Sequence, residues 1–445
     1  MRIHPRRLRS LTSGGAALLC AGLIVTICGA GTATGQPPAM IPGSAASAAA
    51  TVSAAATSFT EPVQLTFPNF QVQEKPYSTW WAEFLAAYQA KYPNVTIQQS
   101  QAANSGVLMQ TMITQFAAGS PPDIIQQTTG NFYQLADAGY LMPLGELVAG
   151  TNVPSNWGPL QDQFVWKGKT MGVMTLSSAL TLFYNKEILA SANVQVPKTV
   201  DALIAASKAI NAPARGIYGF SGTTVGIDTT IQNESGAFVF GMGGSWFKSC
   251  QPNFTDSTVQ RAVKAYADTL AFSPRGYTQA QHNTLFESGK AGFLIDKASY
   301  IARVPLDKFA AAPLPFDRVA GNANVFLGMP AGLTGAKRWA AENFIKLAVS
   351  TEWQTRYAQL IGAPAPDMKA TAELAKSDPQ MKLFAEQMTK VVNILPAGCP
   401  DVLVNYPLVQ RTIYDALIKI VSTGAAIDTT MQELQQTVAG QIKRK

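Results

Sequence analysis

Residues 63–67 have the sequence VQLTF, in which apolar and polar side chains alternate as they do along a half-buried β-strand. An amphipathic helix is predicted next, over residues 77–92, and a second strand at 95–97. Another amphipathic helix is predicted over 105–118, before a third strand at the apolar run 123–125. The order strand, helix, strand, helix, strand indicates an α/β lobe built on a mainly parallel sheet.

Two loops of this predicted lobe are candidates for ligand contact. Ligands of open α/β sheets bind beyond the carboxyl ends of the strands. Residues Pro68–Lys75 follow the first strand and residues Gln126–Asn131 follow the third, so both loops belong to that edge. Trp80 and Trp81 point about 100° apart on the predicted helix, so only one of them fits its apolar stripe. Trp81 fits the stripe, which leaves Trp80 as a candidate to face a ligand-binding cleft.

The same alternation of elements continues along the chain. Further strands are predicted at 180–184 and 292–295. Apolar spacing and N-caps such as Thr199 and Asp256 or Ser257 predict helices at 200–210, 259–270, 338–349 and 351–360, and two more helices close the chain. A chain of 445 residues is too long for one hydrophobic core, so two lobes are expected.

The charge of the chain gives little support to nucleic-acid binding. The formal net charge is +7, but Arg2, Arg6, Arg7 and Arg9 stand within the first ten residues. No basic run follows until residues 443–445, and phosphate contact needs clustered Lys and Arg. Apolar residues make up 47% of the chain and charged residues 14%, which indicates a globular protein.

The first 35 residues are predicted to be a signal peptide. Basic residues precede an apolar run from Ala16 to Ile27, and small residues follow it. Two outcomes remain open: cleavage after the small residues, or lipidation at Cys28. Residues 36–60 are rich in Ala, Ser, Thr, Pro and Gly, which predicts a flexible linker. We therefore expect an extracytoplasmic protein, in the periplasm or on the outer face of the cytoplasmic membrane.

Two cysteines, Cys250 and Cys399, remain in the mature chain. In an oxidising compartment they are candidates for one disulfide, and two unpaired buried thiols are the alternative.

The catalytic chemistry that the sequence offers is narrow. His282 is the single histidine after the predicted signal, which argues against a Ser-His-Asp triad and against a zinc site with several imidazoles. No cofactor and no metal are expected. A carboxylate pair such as Asp123 with Glu234 or Asp296 keeps a secreted glycoside hydrolase as the alternative function.

Three segments carry a family resemblance. They are GSPPDII at 119–125 with LADAGYLMPL at 135–144, GKTMG at 168–172 with LFYNK at 182–186, and FESGKAG at 286–292. Their order and spacing resemble the family 1 extracellular solute-binding proteins of bacterial ABC importers, of the carbohydrate or glycerol-3-phosphate-binding type. Iron capture by distant relatives is a weaker alternative, because the chain has no adjacent tyrosine pair.

The resemblance implies a two-lobed α/β fold of the type II periplasmic-binding-protein class. Lobe 1 would comprise 61–176 plus 320–362, and lobe 2 would comprise 177–319 plus 363–445. The crossovers between them would form a hinge. A small polyhydroxylated solute would bind in the cleft, ABC permease subunits would be the partners, and the protein would be a monomer without enzymatic activity.

The resemblance also implies the residues that bind the solute. Gln127, Gly130 and Asn131 follow the first-lobe motif, and Ser177 and Ser178 precede the crossover strand as they do in glycerol-3-phosphate receptors. An aromatic platform would come from Trp246 and Tyr300, and Arg411 has the spacing of a phosphate-binding arginine.

Overall fold

A computed structural model describes residues 59–226 and 229–442, which belong to one compact unit, Ser58–Lys445. The signal peptide predicted for 1–35, Cys28 and residues 36–58 of the predicted linker lie outside the described residues.

The described ranges contain both strands and helices. The strands are β1 (Val63–Asn69), β2 (Val95–Gln101), β3 (Ile125–Thr128), β4 (Val165–Trp166), β5 (Lys169–Thr170), β6 (Val173–Asn185), β7 (Tyr218–Phe220), β8 (Phe247–Lys248), β9 (Gln251–Pro252), β10 (Ala291–Lys297), β11 (Phe309–Ala312), β12 (Val319–Gly328) and β13 (Val391–Asn393).

The α-helices occupy most of the remaining chain. They are α1 (Tyr77–Lys91), α2 (Ser105–Ala117), α3 (Thr129–Asp137), α4 (Gly145–Ala149), α5 (Val153–Asn156), α6 (Lys186–Ser191), α7 (Val200–Ile210), α8 (Thr229–Gly241), α9 (Ser257–Leu270), α10 (Gln279–Glu287), α11 (Gly335–Ala348), α12 (Thr351–Ile361), α13 (Met368–Leu374), α14 (Pro379–Met388), α15 (Pro400–Val404), α16 (Tyr406–Thr423) and α17 (Ile427–Ile442).

The first lobe is built around the strands that the opening stretch predicts. β1 and β2 pair in parallel, with Val63 opposite Val95. The backbone N–H of Ile124 donates to the carbonyl oxygen of Thr66 (3.1 Å), which places the start of β3 on the other side of β1. Residues 63, 65 and 67 of β1 are buried and residue 64 is exposed, as the alternating pattern predicts. The first two predicted strands and the two helices are confirmed. The third strand is Ile125–Thr128 instead of 123–125, so Gln126 and Gln127 belong to β3 and not to a loop.

The second lobe surrounds β7, β10 and β11, and it is joined to the first lobe through β6 and β12. β6 pairs with β12 over residues 173–179. Over residues 180–185 the same strand pairs with β10 and β11 instead. One continuous strand therefore belongs to the sheets of both lobes. The fold is the expected two-lobed α/β fold, and the lobe limits given above stay predictions.

Local signals in the sequence set several helix ends. The hydroxyl of Thr199 accepts from Ala202 N–H (3.2 Å) at the start of α7, and the carboxylate of Asp256 caps α9. α12 ends at Gly362, whose φ of 67° lies in the left-handed region that glycine adopts without strain.

The prediction that Trp80 faces the cleft is wrong. Trp80 is buried, and its indole N–H donates to the carbonyl oxygen of Trp353 in α12 (3.2 Å). Trp81 packs on the other side of α1, against Phe67 and Phe344. The helix is covered on two sides, so both tryptophans are core residues.

A disulfide joins Cys250 to Cys399, with an S–S distance of 2.07 Å and 5.2 Å between the Cα atoms. Cys250 lies in the turn between β8 and β9, and Cys399 lies directly before α15. The bond ties the segment that leads into α15 and α16 to this hairpin.

We expect the double variant Cys250→Ser/Cys399→Ser to unfold more easily than the wild type. The disulfide closes a loop between cysteines 149 residues apart, and its loss should lower the free energy of unfolding by about 2–5 kcal/mol. Urea denaturation without reductant measures the difference, and wild-type protein treated with reductant is the matched control. Equal stability of the oxidised wild type and the double variant would contradict the expectation.

Candidate functional site

A cleft formed by two adjoining chambers lies where elements of the two lobes face each other. The amide chamber, whose wall includes Asn131 and Asn233, has a volume of about 390 Å³. The charged chamber, whose wall includes Asp296 and Arg303, has a volume of about 600 Å³. Glu74, Tyr77 and Lys297 line both chambers, so the two volumes form one continuous cleft.

The amide chamber is lined by elements of both lobes. The first lobe contributes the loop after β1 and the first residues of α2 and α3, and the second contributes α8, the end of β10 and the start of α16. The lining residues are Phe70, Gln71, Glu74, Tyr77, Ser105, Gly106, Thr128, Thr129, Gly130, Asn131, Leu176, Asn233, Lys297, Asn324, Val325, Leu395, Tyr406, Pro407 and Gln410. Both loops expected to contact ligand contribute to this wall.

The charged chamber is lined mainly by the loop before α1 and by the segment around the end of β10. Its lining residues are Glu74, Lys75, Pro76, Tyr77, Gln279, Asn283, Asp296, Lys297, Ser299, Tyr300, Ala302, Arg303 and Leu360. Charges of both signs meet in this chamber.

Gln127 holds the two first-lobe helix starts together instead of lining a chamber. Its side chain is fully buried, and its amide N–H donates to the carbonyl oxygen of Ser105 (2.9 Å). Its amide oxygen accepts from the backbone of Thr128 (2.8 Å) and from the side chain of Asn131 (3.0 Å). Gln127 therefore fixes the position of Asn131, which does line the amide chamber.

Gly130 leaves open space in the amide chamber. A Cβ atom built on Gly130 would meet no atom within 4 Å, and the residue has no left-handed backbone conformation to preserve. A larger side chain at this position would extend into the cleft without displacing the protein around it.

A second amide pair, which the sequence did not single out, shapes the loop after β1. Gln126 is fully buried and donates to the side-chain oxygen of Gln71 (2.7 Å), which also accepts from the indole of Trp81 (3.3 Å). The oxygen of Gln126 accepts from the backbone of Phe70 (3.2 Å). These bonds attach the loop to β3 and leave Gln71 at the chamber wall.

Tyr300 lines the charged chamber as a neutral hydroxyl. It is buried, and its hydroxyl donates to the carboxylate of Glu287 (3.0 Å). Burial, followed by the charge of Glu287, raises the pKa of Tyr300 well above its usual value. The guanidinium of Arg303 lies 5.1 Å from the ring centroid and 2.8 Å from Glu287. The ring is thus held in place by two charged partners.

Besides Gln127, four of the expected ligand residues lie elsewhere among the described residues. Trp246 is buried against Phe254, with ring centroids 5.6 Å apart, and lines neither chamber. Ser177 is buried in β6 beside Leu176, and the backbone of Ser178 pairs with residue 322 of β12. Arg411 is exposed on α16, 3.9 Å from Asp415. The structure therefore brings Gly130, Asn131 and Tyr300 to the cleft.

Only one of the three carboxylates considered for hydrolysis reaches the cleft. Asp123 is buried outside both chambers and pairs with Lys337 (3.0 Å). Glu234 is fully buried and accepts from the backbone of Thr223 (3.0 Å). Asp296 lines the charged chamber. These residues do not form a pair across a substrate.

The described residues, 59–226 and 229–442, show neither a metal centre nor a membrane-spanning helix. Within them, no group of three or more His, Cys, Asp or Glu side chains is arranged to hold a metal ion. In the same ranges, no helix has the length and apolarity needed to cross a bilayer.

The fold and the cleft define a two-lobed α/β binding protein. A sequence model of bacterial extracellular solute-binding proteins matches residues 83–383, and the chain belongs to this family. No curated protein sequence matches the chain.

Solved structures show the same fold. The GacH receptor of Streptomyces glaucescens, studied unliganded and with acarbose, has a TM-score of 0.73 at 17% identity, covering 86% of this chain and 99% of the receptor. The cyclic α-maltosyl-1,6-maltose binding protein of Arthrobacter globiformis has a TM-score of 0.73 at 20% identity, covering 86% and 100%. UgpB of Mycobacterium tuberculosis, in complex with glycerophosphocholine, has a TM-score of 0.73 at 16% identity, covering 87% and 99%.

His282 makes the stability of the second lobe depend on pH. It is fully buried, with its Nε2 atom 3.8 Å from a carboxylate oxygen of Glu234. Burial, and secondarily the charge of Arg303, lowers the pKa of His282 from 6.5 to about 4. Because the unfolded chain takes up this proton at a higher pH, the stabilisation is complete above pH 6.5 and is lost as the pH falls towards 4.

We expect His282→Gln to reduce the loss of stability on acidification. Between pH 7 and pH 4 the wild type should lose up to about 3 kcal/mol more free energy of unfolding than the variant, since one pKa unit is worth about 1.4 kcal/mol. Urea titrations of both proteins across this range measure the difference. If the free energy of unfolding fell equally with pH in the wild type and in the variant, His282 would not be the cause of the pH dependence.

Proposed function

We propose that this protein captures a carbohydrate or polyol phosphate, a sugar or glycerol 3-phosphate, in the inter-lobe cleft for import by an ABC transporter. The observation that carries the proposal is the amide chamber, whose walls from both lobes present Asn131, Asn233, Asn324 and Gln410. Amide groups both donate and accept hydrogen bonds, which suits the hydroxyl groups of such solutes.

The ligands of similar proteins support this class of solute. Structural neighbours are described with acarbose, with α-D-tagatose and with glycerophosphocholine. These molecules share several hydroxyl or phosphate oxygens, and a cleft rich in amide and hydroxyl groups can bind them without a cofactor.

We also propose capture without catalysis, in keeping with the binding proteins that share the fold. Of the three carboxylates that keep the hydrolase alternative open, Asp296 alone lines the cleft. A solute that contacts both lobes favours the closed arrangement by its differential affinity, and the permease subunits would recognise that arrangement. We place the protein outside the cytoplasm, exported by its N-terminal segment, anchored at Cys28 or released, and monomeric.

A thermal-unfolding screen tests the proposal. A solute that binds only the native state raises Tm, by an amount that grows with its concentration relative to Kd. We expect sugars or polyol phosphates to raise Tm, and calorimetry to give the affinity of each hit. If no member of either class shifts Tm, or if a chromogenic glycoside is hydrolysed, the proposal is wrong.

We expect Gly130→Phe to weaken binding of every hit from this screen. The added ring fills open space in the amide chamber, and the resulting overlap with solute should cost about 1–3 kcal/mol, or about tenfold to a hundredfold in affinity. Gly145→Phe is the matched control, because Gly145 also lies in the first turn of a helix, has open space around its Cβ position, and lines neither chamber. Unchanged affinity in Gly130→Phe would place the solute elsewhere.

A further inference from the structure

The start of α3 lies at the wall of the amide chamber. The first N–H groups of an α-helix have no partner within the helix, and they form its positive end. At α3 the preceding residue, Thr128, makes no side-chain capping hydrogen bond, and its backbone N–H donates to the side-chain oxygen of Gln127. Gly130 and Asn131 line the chamber at this helix end.

A second helix start lies beside the first. Ser105 and Gly106, the first residues of α2, line the same chamber. The amide of Gln127 connects the two helix starts, since it bonds both to Ser105 and to Thr128. The partial positive charges of two helices therefore meet at one wall.

Thr129 points to a ligand independently of the helix ends. Its exposed fraction is 1%, it lines the amide chamber, and its hydroxyl has no hydrogen-bond partner among the residues that the structure describes. A buried hydroxyl without a partner costs free energy, so such groups normally have one. A solute oxygen in the chamber would supply the missing acceptor.

Lys297 brings a full positive charge to the same chamber from the second lobe. It is half-buried at the end of β10, and its ammonium group forms no ion pair with any residue in 59–226 and 229–442. Glu74 is the one carboxylate among the residues that line this chamber. Glu74 is exposed, so water and salt screen its repulsion of an anion.

We propose that the solute carries an anionic oxygen group, a phosphate or a carboxylate, that binds between the helix starts at Thr129 and the ammonium of Lys297. The inference rests on the proposed function and deepens it, because it assigns the solute a charge and gives that charge a site. Charge-assisted hydrogen bonds to backbone N–H groups and to an ammonium are the contacts that such a group requires. The exposed Arg411 has no part in the site.

Calorimetry with three probes that share one carbon skeleton tests the inference. The probes are glycerol 3-phosphate, glycerate and glycerol, each titrated into the full-length protein. We expect at least one of the two anions to bind about tenfold or more tightly than glycerol, which lacks the charge-assisted contacts. The two anions separate a phosphate site from a carboxylate site.

Variants assign the charge contact. Lys297→Gln should weaken binding of the anion about tenfold or more, and Thr129→Val should weaken it by a smaller factor. Arg411→Gln, which removes an exposed arginine that the family resemblance favours, should leave the affinity unchanged. Thermal unfolding without ligand checks that each variant folds.

Three results would overturn the inference. One is tight binding of a neutral sugar from the screen, sensitive to Gly130→Phe, with no binding of either anion, and in that case the proposed function stands. Another is an anion affinity that falls in Arg411→Gln and not in Lys297→Gln. The third is the absence of binding by every sugar, polyol phosphate and anion tested, which would remove the proposed function as well.

Discussion

The sharing of β6 between two sheets is the constraint on which the rest of the structure depends. Residues 173–179 pair with β12, and residues 180–185 pair with β10 and β11. The backbone hydrogen bonds of this one strand therefore contribute to the stability of both lobes. The cleft lies beside this strand, with Leu176 in its wall.

Buried amide side chains connect the sheet to the wall of the cleft by hydrogen bonds. Gln126 and Gln127 are adjacent in β3 and both fully buried, yet they point to opposite sides of the strand. One fixes the loop after β1 through Gln71, and the other fixes the starts of α2 and α3 through Ser105. Buried polar groups whose hydrogen bonds are satisfied define one arrangement well. The first-lobe wall is thus set before a solute arrives.

The sequence predicts strands and helices of both lobes well where their signals are local. The alternation in β1, the caps at Thr199 and Asp256, and the helical spacing of α1 each depend on a few neighbouring residues. The position of Arg411 could not be predicted in this way, because sequence spacing does not show which face of α16 is turned to the cleft. Neighbouring positions on a helix point about 100° apart, and Gln410, one residue earlier, lines the cleft while Arg411 is exposed. The sequence does not point to Lys297 as a ligand residue. Only the tertiary fold shows that its side chain, at the end of a buried strand, faces the opposite lobe. Trp246 illustrates the same limit: its aromatic neighbours Phe240 and Phe254 are close in sequence, but only the fold shows that they bury it together.

The junction of the two chambers has a consequence for selectivity. Glu74, Tyr77 and Lys297 belong to both volumes, so a group that binds in one chamber alters the electric field and the available partners in the other. Contacts that share partners are not additive. The binding free energy of a molecule that fills both halves of the cleft is then not the sum of the contributions of its two fragments, so a truncated analogue does not report the contribution of the atoms it lacks.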